Sequence, residues 1–179
     1  MQPPVVLLTE EQIQQRVVEL AGQIETANGG RTLWVVGILD NGAMFACDLV
    51  RRLHCPVVCQ FLRMESVDQM EGGYERRHIV YTPNLDVVGK DILLVDAVLQ
   101  TGVTLDHLIH QMLVKKARSV KTAVLIDRPE ERRVQLEPDF WGFQVAGRFL
   151  VGYGLGYRDL YRNLPYVGEV VPEKAAQGG

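Results

Sequence analysis

The sequence is poor in the features that mark secreted, membrane-spanning and nucleic-acid-binding proteins. Its 179 residues include only three cysteines, without CxxC spacing, which argues against a disulfide framework or a zinc site. A net charge of -3 provides no global field that would attract nucleic acid or an anionic membrane. No apolar run approaches the ~20 residues of a membrane span, and the first residues lack the basic start of a signal peptide. These absences favour a cytoplasmic protein without membrane or nucleic-acid partners.

Side chains that could bind metal or carry redox chemistry are also sparse. We expect Cys47, Cys55 and Cys59 to be buried thiols, kept reduced inside the cell. His107 and His110 are three residues apart on a predicted helix, a spacing that could hold a metal. No further ligand follows at a matching offset, so these residues predict no metal site.

What the chain does contain is an alternation of helix and strand patterns. Apolar residues recur at helical spacing from 10 to 27, after a capping box formed by Thr9 and Gln12. Continuous apolar runs, typical of strands covered on both faces, alternate with further helices. We expect strands at 32–39, 57–64, 92–95, 120–126, 140–145 and 149–153, and further helices at 43–53 and 104–116. This order predicts an α/β protein with a doubly wound, mostly parallel sheet flanked by helices.

Two polar segments interrupt the pattern. Residues 65–77 are charged and contain glycine, a composition typical of a mobile loop, and 79–82 could return as one arm of a hairpin. Residues 172–179 have the composition of a disordered tail. With 47% hydrophobic residues, the length suits one compact domain over residues 1–179.

The segment most informative for function is 91–105, DILLVDAVLQTGVTL. A buried strand is expected to place Asp96 at its carboxyl end, and a loop with Gly102 between Thr101 and Thr104 opens into a helix. In open α/β sheets ligands bind at this location, and backbone N–H groups at a helix N-terminus suit a phosphate dianion. The alternative is an ordinary helix cap supplied by Thr101 or Thr104. The segment alone leaves both interpretations open.

This segment resembles the phosphoribosyl pyrophosphate (PRPP) motif of type I phosphoribosyltransferases, in which two acidic residues follow a strand and a D-T-G-x-T loop holds the 5′-phosphate. Phe61-Leu62-Arg63 is similar to the segment that precedes the flexible loop of the hypoxanthine-guanine enzymes. Residues 138–168, PDFWGFQVAGRFLVGYGLGYRDLYRNLPYVG, resemble their purine-binding end. The resemblance covers roughly residues 10–170. It implies the type I phosphoribosyltransferase fold, with a flexible loop and a small hood formed by the N-terminal segment and about 140–170.

The resemblance implies roles for individual residues. Phe149 would be the platform on which a purine stacks, and the backbone of Leu150 would read the purine edge. Arg128 stands where the family has a lysine that donates to the purine 6-oxo group. Asp96 would hold ribose hydroxyls, and Arg162 would lie near the pyrophosphate. The 5′-phosphate would bind the loop of Thr101, Gly102, Val103 and Thr104.

The chain departs from the family at positions that carry its chemistry. Gln100 replaces the aspartate that acts as general base, and loss of a positioned base typically costs ~10²- to 10⁴-fold in rate. Ala97 replaces the second acidic residue, and Gly156 replaces an aspartate that contacts the waters of a magnesium ion.

Two loops differ as well. The pyrophosphate loop of the family reads Leu-Lys-Gly-Gly, whereas this chain has Asp40 and Asn41 in the middle positions, so a cation is replaced by an anion. The Ser-Tyr pair of the flexible loop is Ser66-Val67 here, without the aromatic ring that would close over the site.

The retained and lost residues together imply a homologue that binds a purine base or a nucleoside monophosphate such as GMP or IMP, with transferase activity reduced or lost. One alternative is an active enzyme with a rearranged site that uses PRPP and Mg²⁺. Another is a nucleotide-sensing regulator or partner-binding protein. The resemblance also implies a homodimer or homotetramer. Arginine doublets at 51–52, 76–77 and 132–133 could form an RNA-binding face, but in a net-negative chain they favour a solvated surface.

Overall fold

The computed structural model describes residues 3–63, 65–71, 74–80, 85–146 and 149–170, with side chains described outside 65–71 and 74–80. The predicted tail at 172–179 lies outside the described residues. Strands and helices alternate along the described chain, in the order β1 (Val5–Leu8), α1 (Glu10–Asn28), β2 (Leu33–Leu39), α2 (Ala43–Val50), β3 (Val57–Arg63), β4 (Glu65–Glu71), β5 (Tyr74–Val80), β6 (Asp91–Leu99), α3 (Val103–Val114), β7 (Ser119–Asp127), a 3₁₀ turn (Pro129–Glu131), β8 (Phe140–Gln144), β9 (Leu150–Val151) and β10 (Val167–Glu169).

A five-stranded parallel sheet forms the centre of the molecule, in the order β3-β2-β6-β7-β8. The chain winds outward from β2 to β3 on one side and from β6 through β7 to β8 on the other. Helices α1 and α2 cover one face, and α3 packs into a second apolar cluster on the opposite face. The doubly wound α/β sheet predicted from the sequence is therefore confirmed. The direction in which successive strands are added to the sheet reverses between β2 and β6.

The amphipathic helix α1 forms where its pattern predicts. Thr9 accepts a hydrogen bond from the backbone of Gln12, whose side chain returns the contact, which completes the capping box. The apolar stripe is buried against the sheet, and Gly29 ends the helix in the left-handed conformation at φ 63°.

A small antiparallel sheet, β1-β10-β9, forms the hood and joins the two ends of the described chain. The structure places Phe140–Gln144 in the large sheet, so the hood takes the later part of the 140–170 segment. The hydroxyl of Tyr153 donates to Asp48 on α2 at 2.7 Å, and this buried contact ties the C-terminal segment to the body.

The polar segment predicted to be a loop at 65–77 is instead a two-stranded antiparallel ribbon of β4 and β5. Its residues are mostly polar, so the regular apolar alternation that normally reveals strands is missing. Two glycines separate the strands in the sequence, a recognised hairpin signal, and the arm expected at 79–82 begins earlier, at Tyr74. Ser66 and Val67 lie in β4, and their side chains are outside the described part.

The expectation of buried thiols is wrong for two of the three cysteines. Cys47 and Cys59 are exposed and Cys55 is half-buried. Cys59 lies on β3, an edge strand, so the apolar run that suggested cover on both faces is only partly buried. No helix in the described part of the chain is long and apolar enough to cross a membrane.

Candidate functional site

A cleft of about 220 Å³ opens at the carboxyl edge of the large sheet, beside the point where the winding reverses. Open α/β sheets bind ligands at such a point. The cleft is lined by Asn41, Asp96, Val98, Gln100, Phe149, Leu150, Leu155, Gly156 and Tyr157. The structure therefore brings together residues that the sequence assigned to ribose, base, purine and pyrophosphate positions, although they lie far apart in the chain.

The cleft opens where β2 and β6 stop pairing. The ladder between these strands ends at the pair Gly37 and Val95, after which β2 continues to Leu39 along β3 and β6 continues to Leu99 along β7. Asp96 was expected at the strand end but lies three residues before it, on β6 directly after its last pair with β2. The loop after β2 packs close by, since a Cβ on Gly42 would lie 3.1 Å from the Cα of Asp96.

Asp96 is a half-buried carboxyl without a cationic partner in the described part of the chain. The backbone N–H of Ala97 donates to its Oδ1 at 2.7 Å. Burial raises the pKa of Asp96 to about 7, and the Ala97 hydrogen bond opposes that shift. At neutral pH the group therefore exchanges readily between a neutral donor and an ionised acceptor for ribose hydroxyls.

This raised pKa predicts a pH-dependent stability. Because the folded pKa lies above the unfolded value, the ionised form destabilises the fold progressively as pH rises from ~4 towards 7. Asp96→Asn, which keeps the neutral shape, is expected to stabilise the protein by about 2 to 4 kcal/mol at pH 8 and not at pH 4. Thermal melts across this range would measure the difference, with the exposed Asp106→Asn as control. A gain of equal size at every pH would contradict the prediction.

The predicted phosphate loop leads into α3 as a strained turn. Gly102 has φ 79°, and a Cβ there would lie 2.8 Å from a methyl group of Val134, so glycine is required. Gly102 is itself the N-cap, and no side chain caps the helix. The alternative in which Thr101 or Thr104 caps α3 is therefore wrong. The first-turn N–H groups lack a capping side chain, which suits them to a phosphate.

Arg132 contacts the backbone just before this loop, a role that the sequence reasoning missed. Its Nη1 donates to the carbonyl oxygens of Leu99 at 3.0 Å and Gln100 at 2.6 Å, while Nη2 pairs with Asp127. The side chains of Arg132 and Asp127 are 9% and 3% exposed. The interpretation of the 132–133 doublet as solvated surface is therefore wrong for Arg132. An aspartate ending a buried strand was the available signal, because such a charge needs a partner.

Arg128 is also buried, and its guanidinium is held by acidic neighbours. It pairs with Glu131, and its Nε lies 3.6 Å from Glu130 without a hydrogen-bond partner in the described structure. Its backbone N–H donates to the carbonyl of Leu99 at 3.0 Å. Arg128 does not line the cleft, so its contact with a purine stays a prediction.

Two aromatic rings stand at the hood side of the cleft. Phe149 is 40% exposed and meets Tyr157 edge to face, with ring centroids 5.6 Å apart. A half-exposed ring held by a second ring suits a base platform. The sequence reasoning missed Tyr157, although an aromatic residue in a glycine-rich segment beside the predicted platform was visible.

The side of the cleft near Asn41, to which the sequence assigned pyrophosphate, has an altered charge pattern, although Asp40 and Arg162 do not themselves line the cleft. Arg63 donates to Asp40 at 2.5 Å, so the anion that replaced a cation is itself paired. Arg162 donates through Nη1 to Asn41 Oδ1 at 2.5 Å and to the Gly154 carbonyl at 2.6 Å. A Cβ on Gly156 would lie 2.9 Å from Cζ of Arg162. The guanidinium thus occupies the space that a side chain at 156 would need.

These residues do not fit the magnesium site implied by the family resemblance. Mg²⁺ prefers carboxylates together with substrate phosphate oxygens. Asp96 is the one carboxylate lining the cleft, and the described residues hold no cluster of three or more potential metal ligands. His107 and His110 are exposed on α3 and belong to no such cluster there. The guanidinium of Arg162 adds a positive charge beside Gly156.

The sheet order, the hood and the helix-initiating loop at the carboxyl edge define a type I phosphoribosyltransferase domain. The family model for the phosphoribosyl transferase domain matches residues 7–158. The chain is 37% identical over 171 residues to the hypoxanthine-guanine phosphoribosyltransferase of Staphylococcus aureus, covering 94% of each. It is 36% identical over 168 residues to the bifunctional protein TilS/HprT of Listeria monocytogenes, and spans 26% of that longer protein.

A solved structure supports the same class of domain. A hypoxanthine-guanine phosphoribosyltransferase from Bacillus anthracis matches with a TM-score of 0.84 and 32% identity, covering 96% of this chain and 100% of that one. The chain belongs to the hypoxanthine-guanine phosphoribosyltransferase family. The family and the fold class predicted from the sequence are both confirmed.

Proposed function

We propose that this protein binds a purine nucleoside monophosphate, or the free purine, in the cleft and transfers the phosphoribosyl group slowly or not at all. The observation that carries the proposal is Gln100, which lines the cleft between Asp96 and the phosphate loop. An uncharged amide at this position has no basic site at neutral pH.

The residues that favour nucleotide binding are retained. The start of α3 offers uncapped N–H groups for a 5′-phosphate, and the exposed ring of Phe149 offers a face on which a base can stack. Asp96 provides an acceptor for ribose hydroxyls between them. Phosphate, sugar and base of one nucleotide would thus meet groups of suitable chemistry along a single cleft.

The residues that favour transfer are replaced. Breaking the bond between ribose and pyrophosphate while a purine nitrogen attacks requires removal of a purine proton, and Gln100 cannot accept it. Ala97 is fully buried and offers no second carboxylate to the ribose. Gly156 provides no acid towards a metal. These replacements lie at the same site, and each removes a group that the transfer reaction needs.

Four finer expectations remain part of the proposal. A cytoplasmic location and a homodimer or homotetramer are expected from the family. We expect PRPP to bind more weakly than GMP or IMP, because PRPP depends on the pyrophosphate side, which has changed most. Nucleic acid is not expected as a partner, since Asp127 engages Arg132 of one arginine doublet.

Calorimetric titration with GMP, IMP and PRPP, with and without Mg²⁺, tests the proposal together with a turnover assay. We expect the monophosphates to bind and turnover to lie well below the ~1 to 10³ s⁻¹ typical of enzymes. Phe149→Leu should weaken GMP binding by about 1 to 3 kcal/mol. Trp141→Leu is the matched control, because Trp141 is 41% exposed but does not line the cleft. Ordinary enzymatic turnover of hypoxanthine or guanine would overturn the proposal in favour of an active, rearranged site.

A further inference from the structure

Arg162 and Gly156 form an unusual pair on the pyrophosphate side of the cleft. The guanidinium approaches so closely that a Cβ at position 156 would lie 2.9 Å from both its Cζ and its Nε. Any side chain there would displace it. The glycine therefore permits the arginine to occupy a place where the family resemblance expects an acid linked to a metal ion.

The position of this guanidinium is held by its surroundings. Nη1 donates to Asn41, which lines the cleft, and to the carbonyl of Gly154. In the described structure, hydrogen bonds are found for Nη1 and Nε packs against Gly156, which leaves the donors of Nη2 for an anion. A guanidinium stays charged at all physiological pH values, and its planar fork matches phosphate oxygens.

The other charges around the cleft favour binding of an anion and disfavour binding of a metal ion. Asp40 is neutralised by Arg63, and Arg158 lies over the ring of Tyr157, 5.4 Å from its centroid. Asp96 is the one carboxylate that lines the cleft. A divalent cation would therefore meet a fixed positive charge with little carboxylate to offset it.

We propose that Arg162 neutralises a pyrophosphate group in the cleft in place of a metal, so that this protein binds inorganic pyrophosphate without Mg²⁺. The inference rests on the proposed function in one respect, since both assign ligands to the same cleft. It goes further by making pyrophosphate binding independent of a metal ion and by naming the residue pair responsible. Replacing the family's aspartate with Gly156 then removes a carboxylate that would compete with pyrophosphate for Arg162. It also removes a contact to the metal ion.

Calorimetric titration of the full chain with inorganic pyrophosphate, in MgCl₂ and in EDTA, tests the metal dependence. We expect the affinity in EDTA to equal or exceed that in MgCl₂, because magnesium complexes free pyrophosphate and competes with Arg162. Binding that needs Mg²⁺, or becomes tenfold tighter with it, would overturn the inference. Absence of pyrophosphate binding in both buffers would overturn it as well.

Three variants test the residue pair. Arg162→Gln keeps amide donors but removes the charge, and should weaken pyrophosphate binding in EDTA at least tenfold, whereas the exposed Arg52→Gln at the far end of α2 should not change it. Gly156→Asp should form an ion pair with Arg162, weaken binding in EDTA at least tenfold and make binding respond to Mg²⁺. Gly156→Ala adds the Cβ without the charge and should have the smaller effect. Equal effects of alanine and aspartate would refute a role for charge.

Titration with GMP distinguishes this inference from the proposed function. Its single phosphate is assigned to the loop before α3, so Arg162→Gln should reduce GMP affinity less than threefold. If the unmodified protein binds GMP but not pyrophosphate, the metal-free pyrophosphate site alone is refuted. Pyrophosphate binding without any GMP binding would refute the proposed function and leave this inference standing.

Discussion

Gln100→Asp is expected to raise the rate of phosphoribosyl transfer by ~10²- to 10⁴-fold, the factor that a positioned general base contributes. Gln100 is exposed at the cleft and directly precedes the phosphate loop, so a shorter acidic side chain fits without steric conflict. Its backbone carbonyl remains bound by Arg132, which holds the new carboxylate at the same point of the loop. Product formation from hypoxanthine or guanine with PRPP is the measurement.

Gln100→Asn provides the matched control, because asparagine has the length of aspartate without its basicity. If both variants accelerate the reaction equally, shape and not proton transfer is responsible. If neither does, the missing second carboxylate or the altered pyrophosphate side limits the rate. Wild-type turnover already in the normal enzymatic range would instead require Asp96 to carry the chemistry, and Asp96→Asn would abolish it.

Arg132→Met is expected to destabilise the protein by about 3 to 5 kcal/mol, because it leaves the carboxylate of Asp127 buried without its partner. It also removes the donors to the carbonyls of Leu99 and Gln100 that support the phosphate loop. Chemical denaturation would measure the loss. The neighbouring Arg133→Met should change stability little, because that side chain is exposed and only its backbone N–H contacts the loop, at Thr101.

A double variant separates stability from loop support. Adding Asp127→Leu to Arg132→Met removes the unpaired charge, so much of the stability should return. GMP binding should remain weakened, since the loop carbonyls still lack their donors. Recovery of both stability and GMP affinity would show that Arg132 acts only as a structural charge partner.

Local patterns in the sequence were sufficient to predict the fold and the residues that make up the site. The capping box, the apolar strands and the DAVLQTGVTL segment each carry their information within a few neighbouring residues, and their order specifies the sheet. The replaced positions Gln100, Ala97 and Gly156 were visible for the same reason. Two predictions failed for different reasons. The ribbon β4-β5 lacks regular apolar alternation, and the edge position of β3 depends on how strands far apart in the chain are ordered.

From the sequence, the family follows from the resemblance of its motifs, while the doubly wound sheet and the chemical character of the residues around the cleft follow from periodicity and residue type. How those residues meet is known from the three-dimensional structure. In the structure β6 separates from β2 just before Asp96, Arg132 donates to the carbonyl of Gln100 beside the predicted phosphate loop, and Arg162 fills the space beside Gly156. The physical reason is that burial, ion pairing and steric exclusion depend on distances between segments, which no stretch of sequence contains.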